Sequence, residues 1–139
     1  MMKKVTSTVS AWAAVAGLCS VIPGVGHAAP VSSANTTLFG PNVYVFDTSM
    51  PAGDVQNVAN TIFTKMEANQ FGTERYALLF KPGTYNVKFN VGFYTHVAGL
   101  GQSPDAVNIA GAADVPANWM ANANATCNFW RAYETLAIT

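Results

Sequence analysis

Apolar positions recur along the chain in two rhythms. Between residues 54 and 69 the spacing is helical. Val55, Val58, Ala59, Ile62, Phe63 and Met66 fall at i, i+3, i+4, i+7, i+8 and i+11, and Gln56, Asn57, Asn60, Lys65 and Glu67 take the other side. This predicts one amphipathic helix over about 54–69, started by Asp54 or Ser49 and ended by Asn69 to Gly72. Its apolar face is expected to cover the strands that follow.

From Arg75 to Gly101 the rhythm shortens. Tyr76–Lys81, Tyr85–Phe89 and Gly92–Ala98 are dense in aromatic and β-branched residues and predict three short strands. Pro82-Gly83 reads as a tight turn between the first two. Gly99-Leu100-Gly101 lets the backbone bend where a side chain would not fit. Ala77 to Phe80 is apolar throughout, which reads as a strand covered on both faces. Further short strands are expected at Val43–Phe46, at Val107–Gly111 and around Leu136–Ile138, with Ala112–Ala125 a loop carrying Trp119 and Met120. An apolar strand at the very end leaves an unprotected edge, so the chain reads as truncated at its C-terminus.

Composition narrows the class. The 139 residues suffice for one domain; half are apolar and 10% charged, against roughly a quarter charged in an average soluble domain. With 7 basic and 7 acidic residues and no net charge, the chain has no basic face for nucleic acid. Met1 to Lys4 is a positive start, Val5–Val25 is apolar and small, and Gly26-His27-Ala28 offers a cleavage site. Residues 1–28 therefore read as a secretory signal peptide, too short and too rich in Ser, Thr and Gly to span a membrane well. The expected organisation is 1–28 signal, 29–38 flexible leader and 39–139 folded segment, secreted to an extracellular or periplasmic space and off the membrane once cleaved.

Cleavage leaves Cys127 as the only cysteine and His96 as the only histidine. No internal disulfide or zinc site follows, and Cys127 reads as a small buried hydrophobe. No cofactor or metal is expected. Asn35-Thr36-Thr37 and Asn124-Ala125-Thr126 fit a glycosylation acceptor, a pattern common by chance.

The carboxylates are Asp47, Asp54, Glu67, Glu74, Asp105, Asp114 and Glu134. Glycoside hydrolysis needs two of them, roughly 5–10 Å apart. Turn aspartates such as Asp47, Asp105 and Asp114 commonly bond local backbone. Glu134, in a late strand or turn, is the best placed for a groove, but the catalytic residues stay unassigned. Trp130 with Arg131, Tyr94 and Trp119 could stack on sugar. Trp130 is expected to pack internally, and His96 to be a hydrogen-bonded structural histidine.

A covering helix, then Pro82-Gly83-Thr84-Tyr85, then Gly99-Leu100-Gly101, then short strands about a dozen residues apart, resembles the N-terminal end of secreted right-handed parallel β-helix proteins of the pectate-lyase-like superfamily. Phe39 to Asp47 and Asn128 to Arg131 look closest to bacterial proteins similar to glycoside hydrolase family 55, which often carry a coagulation factor 5/8 type (discoidin) module. The resemblance implies a mainly β fold, a right-handed parallel β-helix of which only the N-terminal coils are present, with the 54–69 helix as cap. It implies a parent acting on extracellular polysaccharide such as β-1,3-glucan, or else a non-catalytic polysaccharide-binding or adhesin β-helix. It also implies that the rest of the β-helix packs on the C-terminal edge. Some members of the group are called adenylyl cyclases, but no phosphate-cradling Gly-rich loop is present to support that.

Overall fold

The computed structural model describes residues 39–139. The expected signal peptide and leader, residues 1–38, lie outside the described residues. The described residues are mainly β, with parallel sheets and one α-helix of 15 residues. In order, β1 is Val43–Phe46, α1 Ala52–Met66, β2 Tyr76–Phe80, β3 Gly83–Tyr85, β4 Lys88–Asn90, β5 Thr95–Gly99, β6 Val107–Ile109, β7 Ala112–Asp114, β8 Arg131–Glu134 and β9 Ala137–Ile138.

The topology repeats. A four-stranded sheet runs β1-β2-β5-β8, a second β3-β6-β9 and a third β4-β7, every pairing parallel. From β2 onward the chain visits the sheets in the same order on each circuit, so each strand pairs with its equivalent one circuit later. Parallel neighbours need a crossover, and here the crossover is the rest of the circuit.

Side chains alternate across each strand. Tyr76, Leu78 and Phe80 point inward and are buried, whereas Ala77 and Leu79 are half-exposed. The continuous apolar run is thus covered on one face more fully than on the other, contrary to the expectation of two buried faces. The centre is aromatic. Phe80 has ring centroids of Phe46 and Tyr85 at 4.9 Å and of Phe89 at 5.1 Å. Phe46, Phe80 and Phe89 are at most 1% exposed, and burying each such ring stabilises by about 3 kcal/mol.

Helix α1 forms on the predicted face: Val55, Ala59, Ile62 and Met66 are buried, and Val58 packs beside them. Its ends differ from expectation. Pro51 is the N-cap and has no side-chain acceptor; of the two expected caps, Ser49 lies before the helix and donates to Asp47 (amide 3.0 Å), and Asp54 lies inside the first turn. The helix stops at Met66 rather than Asn69, where the Met66 carbonyl turns to accept from the Phe93 amide at 2.8 Å. Glycine at 92 permits this approach, since a Cβ there would collide with the Met66 backbone. On the flank of the helix, Gln56 uses its amide like a short strand. Its Nε2 donates to the Lys88 carbonyl (2.6 Å) and its Oε1 accepts from the Lys88 amide (2.8 Å).

Other boundaries also move. Tyr85–Phe89 is not one strand: the chain turns at Asn86-Val87, separating β3 from β4. The Gly92–Ala98 run pairs only from Thr95, since Gly92 to Tyr94 form the turn. Gly83 opens β3 at φ +145° instead of closing a free turn. Ala112–Asp114, expected as loop, is β7, recruited by register with Lys88–Asn90 although its own Ala-Ala-Asp has little strand preference. Among the described residues no helix is long and apolar enough to cross a membrane.

Candidate functional site

One corner of the circuit gathers several aromatic side chains, two of them exposed, Phe129 and Trp130. Tyr94 immediately precedes β5 and Trp130 immediately precedes β8; pairing of Thr95 with Arg131 brings them side by side. Both take the left-handed region, φ 52° and 57°, which costs roughly 1–2 kcal/mol for a residue with a Cβ. Their rings stack 5.2 Å apart at 17°. The Tyr94 amide donates to the Trp130 carbonyl at 2.7 Å. Arg75 precedes β2, and Tyr76 pairs with Thr95, so its guanidinium lies over the other face of Tyr94 at 3.5 Å. Arg75 Nη1 donates to the Gly72 and Glu74 carbonyls, and the Tyr94 hydroxyl to the Gln70 carbonyl. The result is a ladder of three planar groups, Arg75, Tyr94 and Trp130, one per circuit. Contrary to the expectation of internal packing, Trp130 is 56% exposed.

Beneath the ladder Phe93 is fully buried, with Trp119 edge-on at 5.4 Å, Phe129 edge-on at 5.9 Å and the Arg131 guanidinium over its face at 4.2 Å. Trp119 anchors its loop by donating Nε1–H to Asn128 Oδ1 at 2.7 Å. Arg131 does not reach out to ligand. Its Nη1 donates to the Val91 carbonyl (2.6 Å) and Nη2 to the Glu67 carbonyl (3.3 Å), at the helix C-terminus, where a cation is favoured. Burial lowers the pKa of this guanidinium, and the Glu67 charge opposes the shift. It stays cationic at neutral pH.

The carboxylates are dispersed. Asp47 is held below its usual range by its bonds from Ser49, with Lys81 at 3.6 Å. Glu74 is lowered by a bond from Asn69 Nδ2 (2.8 Å), with Lys65 at 3.6 Å. Asp114 pairs with Lys88 at 2.9 Å across β7 and β4. Asp54 lies in the first turn of α1, and Asp105 in an exposed 3-10 turn. Glu134 stands 2.8 Å from His96 Nε2 on neighbouring strands, close but off the hydrogen-bond axis, so His96 has a neighbour rather than an aligned partner. That arrangement supplies one carboxyl where glycoside hydrolysis takes two. Among the described residues no group of three or more His, Cys, Asp or Glu could hold a metal. Cys127 is half-buried in a 3-10 turn, less covered than expected. Asn124 caps that turn by accepting from the Thr126 amide at 3.0 Å.

Arg75 was not singled out by the sequence. Its signal lies in register: each ladder member is the residue before a strand of one sheet, and the strand β8 is not distinct in the pattern.

No family model matches the chain. Over 100 residues, 71% of the chain, it is 54% identical to an exo-β-1,3-glucanase from Streptomyces sp. (strain SirexAA-E / ActE). The chain is similar to a β-1,3-glucanase. It spans only 16% of that relative's length. The solved structure of sacteLam55A from Streptomyces sp. SirexAA-E superposes with a TM-score of 0.67 at 54% identity, covering 71% of this chain and 18% of that one. A variant of the same protein solved with glucose matches equally. The mainly β, parallel-sheet architecture is therefore shared with a glucanase fragment.

Proposed function

We propose that this chain supplies the first coils of a secreted, right-handed parallel β-helix that hydrolyses β-1,3-glucan, in the manner of glycoside hydrolase family 55. The observation that carries the reading is the 54% identity over 100 residues to an exo-β-1,3-glucanase. The repeating order of strands supports the β-helix, since successive circuits stack to bury what one cannot bury alone. In this reading α1 is the N-terminal cap. Gln56 supports it by occupying the backbone groups of Lys88 that a preceding strand would otherwise use. Residues 1–28 direct export, and catalytic carboxylates, together with any discoidin module, belong outside residues 39–139.

The test is secretion of the full reading frame from its locus, followed by assay on laminarin. Release of sugar by that protein, with none released by the 139-residue chain, is the expected result. Absence of release from β-1,3-glucan overturns the substrate. The exposed Trp130 face and the lone carboxyl beside His96 favour one alternative, a non-catalytic polysaccharide-binding β-helix. It predicts retention on insoluble glucan without hydrolysis.

A further inference from the structure

The corner between β7 and β8 is much longer than its counterpart one circuit earlier. From β4 to β5 the chain uses only residues 91–94, whereas from β7 to β8 it takes 115–130. Asn128 folds this excess back on itself. Its Nδ2 donates to the Val115 (3.3 Å) and Pro116 (3.0 Å) carbonyls at the start of the loop, and its Oδ1 accepts from the Trp119 indole. Residues 115–128 thus form a compact loop whose ends meet, a kind of loop that frequently carries function.

The chemistry of this loop is one-sided. No residue from 115 to 130 is charged, and asparagine recurs at 118, 122, 124 and 128. The charges on either side are already engaged: Asp114 by Lys88 at 2.9 Å, and Arg131 by the Val91 and Glu67 carbonyls. Two aromatic side chains stay in water where the loop rejoins the sheet, Phe129 and Trp130, 40% and 56% exposed. Their rings meet edge to face, 4.7 Å apart at 90°. Asn118, drawn toward them by the bonds of Asn128 to Pro116 and Trp119, is exposed as well.

We infer that the 115–130 loop is a binding surface for an uncharged polysaccharide, held by Phe129, Trp130 and Asn118. A pyranose presents apolar C–H faces and hydroxyls that both donate and accept. The two perpendicular rings offer apolar area to the first. An amide, with two donors and an acceptor, matches the second. An acidic polysaccharide or a charged peptide would leave its charges desolvated and unpaired against this loop, which costs free energy. Charge therefore selects the neutral class. The inference deepens the glucan reading above and rests on it, and it assigns contacts that need no catalytic carboxylate.

Hydroxyl-radical footprinting, read by mass spectrometry at single residues, tests it on the 139-residue chain and on the longer β-helix proposed above, with and without laminarin. Phe71, 84% exposed and outside the loop, is the internal reference, and fully buried Phe80 reports on folding. Where Phe80 is oxidised in the 139-residue chain, the longer protein decides. Laminarin is expected to lower oxidation of Phe129 and Trp130 several-fold relative to Phe71. Phe129→Ala and Asn118→Ala should each raise the laminarin concentration needed for half protection several-fold. Unchanged oxidation in laminarin overturns the inference. So does equal protection by polygalacturonate, which removes the preference for an uncharged polymer. Protection in the longer β-helix before any glucan is added also overturns it, because a further coil is then the occupant. Laminarin hydrolysis by the longer protein reports separately on the glucanase reading. Protection without hydrolysis sinks the hydrolase and keeps the binding loop; hydrolysis without protection does the reverse.

Discussion

At Gly99 the residue is chosen by space, not by a left-handed backbone. A Cβ there would overlap the Thr135 carbonyl oxygen of the next circuit and press on Val107. Gly99→Ala is expected to destabilise by roughly 1–3 kcal/mol, the range of an overpacked site, measured as a lower midpoint in a urea melt. Arg131 is a second single-residue anchor, tying β8 to the helix end and to Val91. Arg131→Met keeps the bulk over Phe93 but strands two carbonyls, a loss of about 2 kcal/mol. Arg131→Lys is not expected to restore it, because one ammonium cannot reproduce the planar fork. Tyr85 contributes to the alkaline limit, together with Tyr133, whose hydroxyl is also raised by burial. Burial pushes the Tyr85 hydroxyl up to about 12, and that hydroxyl donates to the Lys81 carbonyl at 2.8 Å. The folded-state pKa is raised, so the stability it contributes is complete below its unfolded value near 10. That contribution is lost as pH rises through 12. Tyr85→Phe should lessen the fall in melting temperature between pH 10 and 12; an unaltered slope would count against Tyr85 as a source.

At the level of elements, α1 was legible because its apolar residues repeat at helical spacing over four turns, a signal that packing then used unchanged. Its N-cap was not, because Ser49 bonds Asp47 before the helix begins and Asp54 falls inside the first turn. Strand β7 was hidden for a different reason. Ala112-Ala113-Asp114 carries no strand pattern of its own and pairs because β4 holds it in register and Lys88 holds Asp114. Gln56 joins helix to sheet by two bonds to Lys88, so Gln56→Ala should cost about 1 kcal/mol. Hydrogen exchange at the Lys88 amide should accelerate while exchange in β2 is unaffected. Equal acceleration in both would mean that the substitution loosens the whole chain rather than this edge.

For the whole molecule, stability should be graded across the first sheet. β2 lies between β1 and β5, whereas β8 is paired on one side and mostly half-exposed or exposed. Amide exchange in the 139-residue chain should therefore be slowest in β2 and β5 and fastest in β8 and β9, as local opening follows burial and pairing. A uniform protection pattern would contradict this gradient. In the longer β-helix proposed above, protection of β8 should rise toward that of β5.

Much of this architecture is written in local composition. The helix, the strands around Val43–Phe46 and Tyr76–Phe80, and the glycine at 99 each follow from residue type and spacing, because periodicity and steric size are properties of a short stretch. The carboxylates, too, read from sequence as scattered, and no bond between any two of them is found among the described residues. The corner ladder follows from no stretch alone. Arg75, Tyr94 and Trp130 lie 19 and 36 residues apart, and only parallel register, set by whole circuits of chain, brings a guanidinium, a phenol and an indole into one stack. The same register decided that Trp130 faces outward, since a left-handed residue before β8 turns its ring onto Tyr94 rather than into the core.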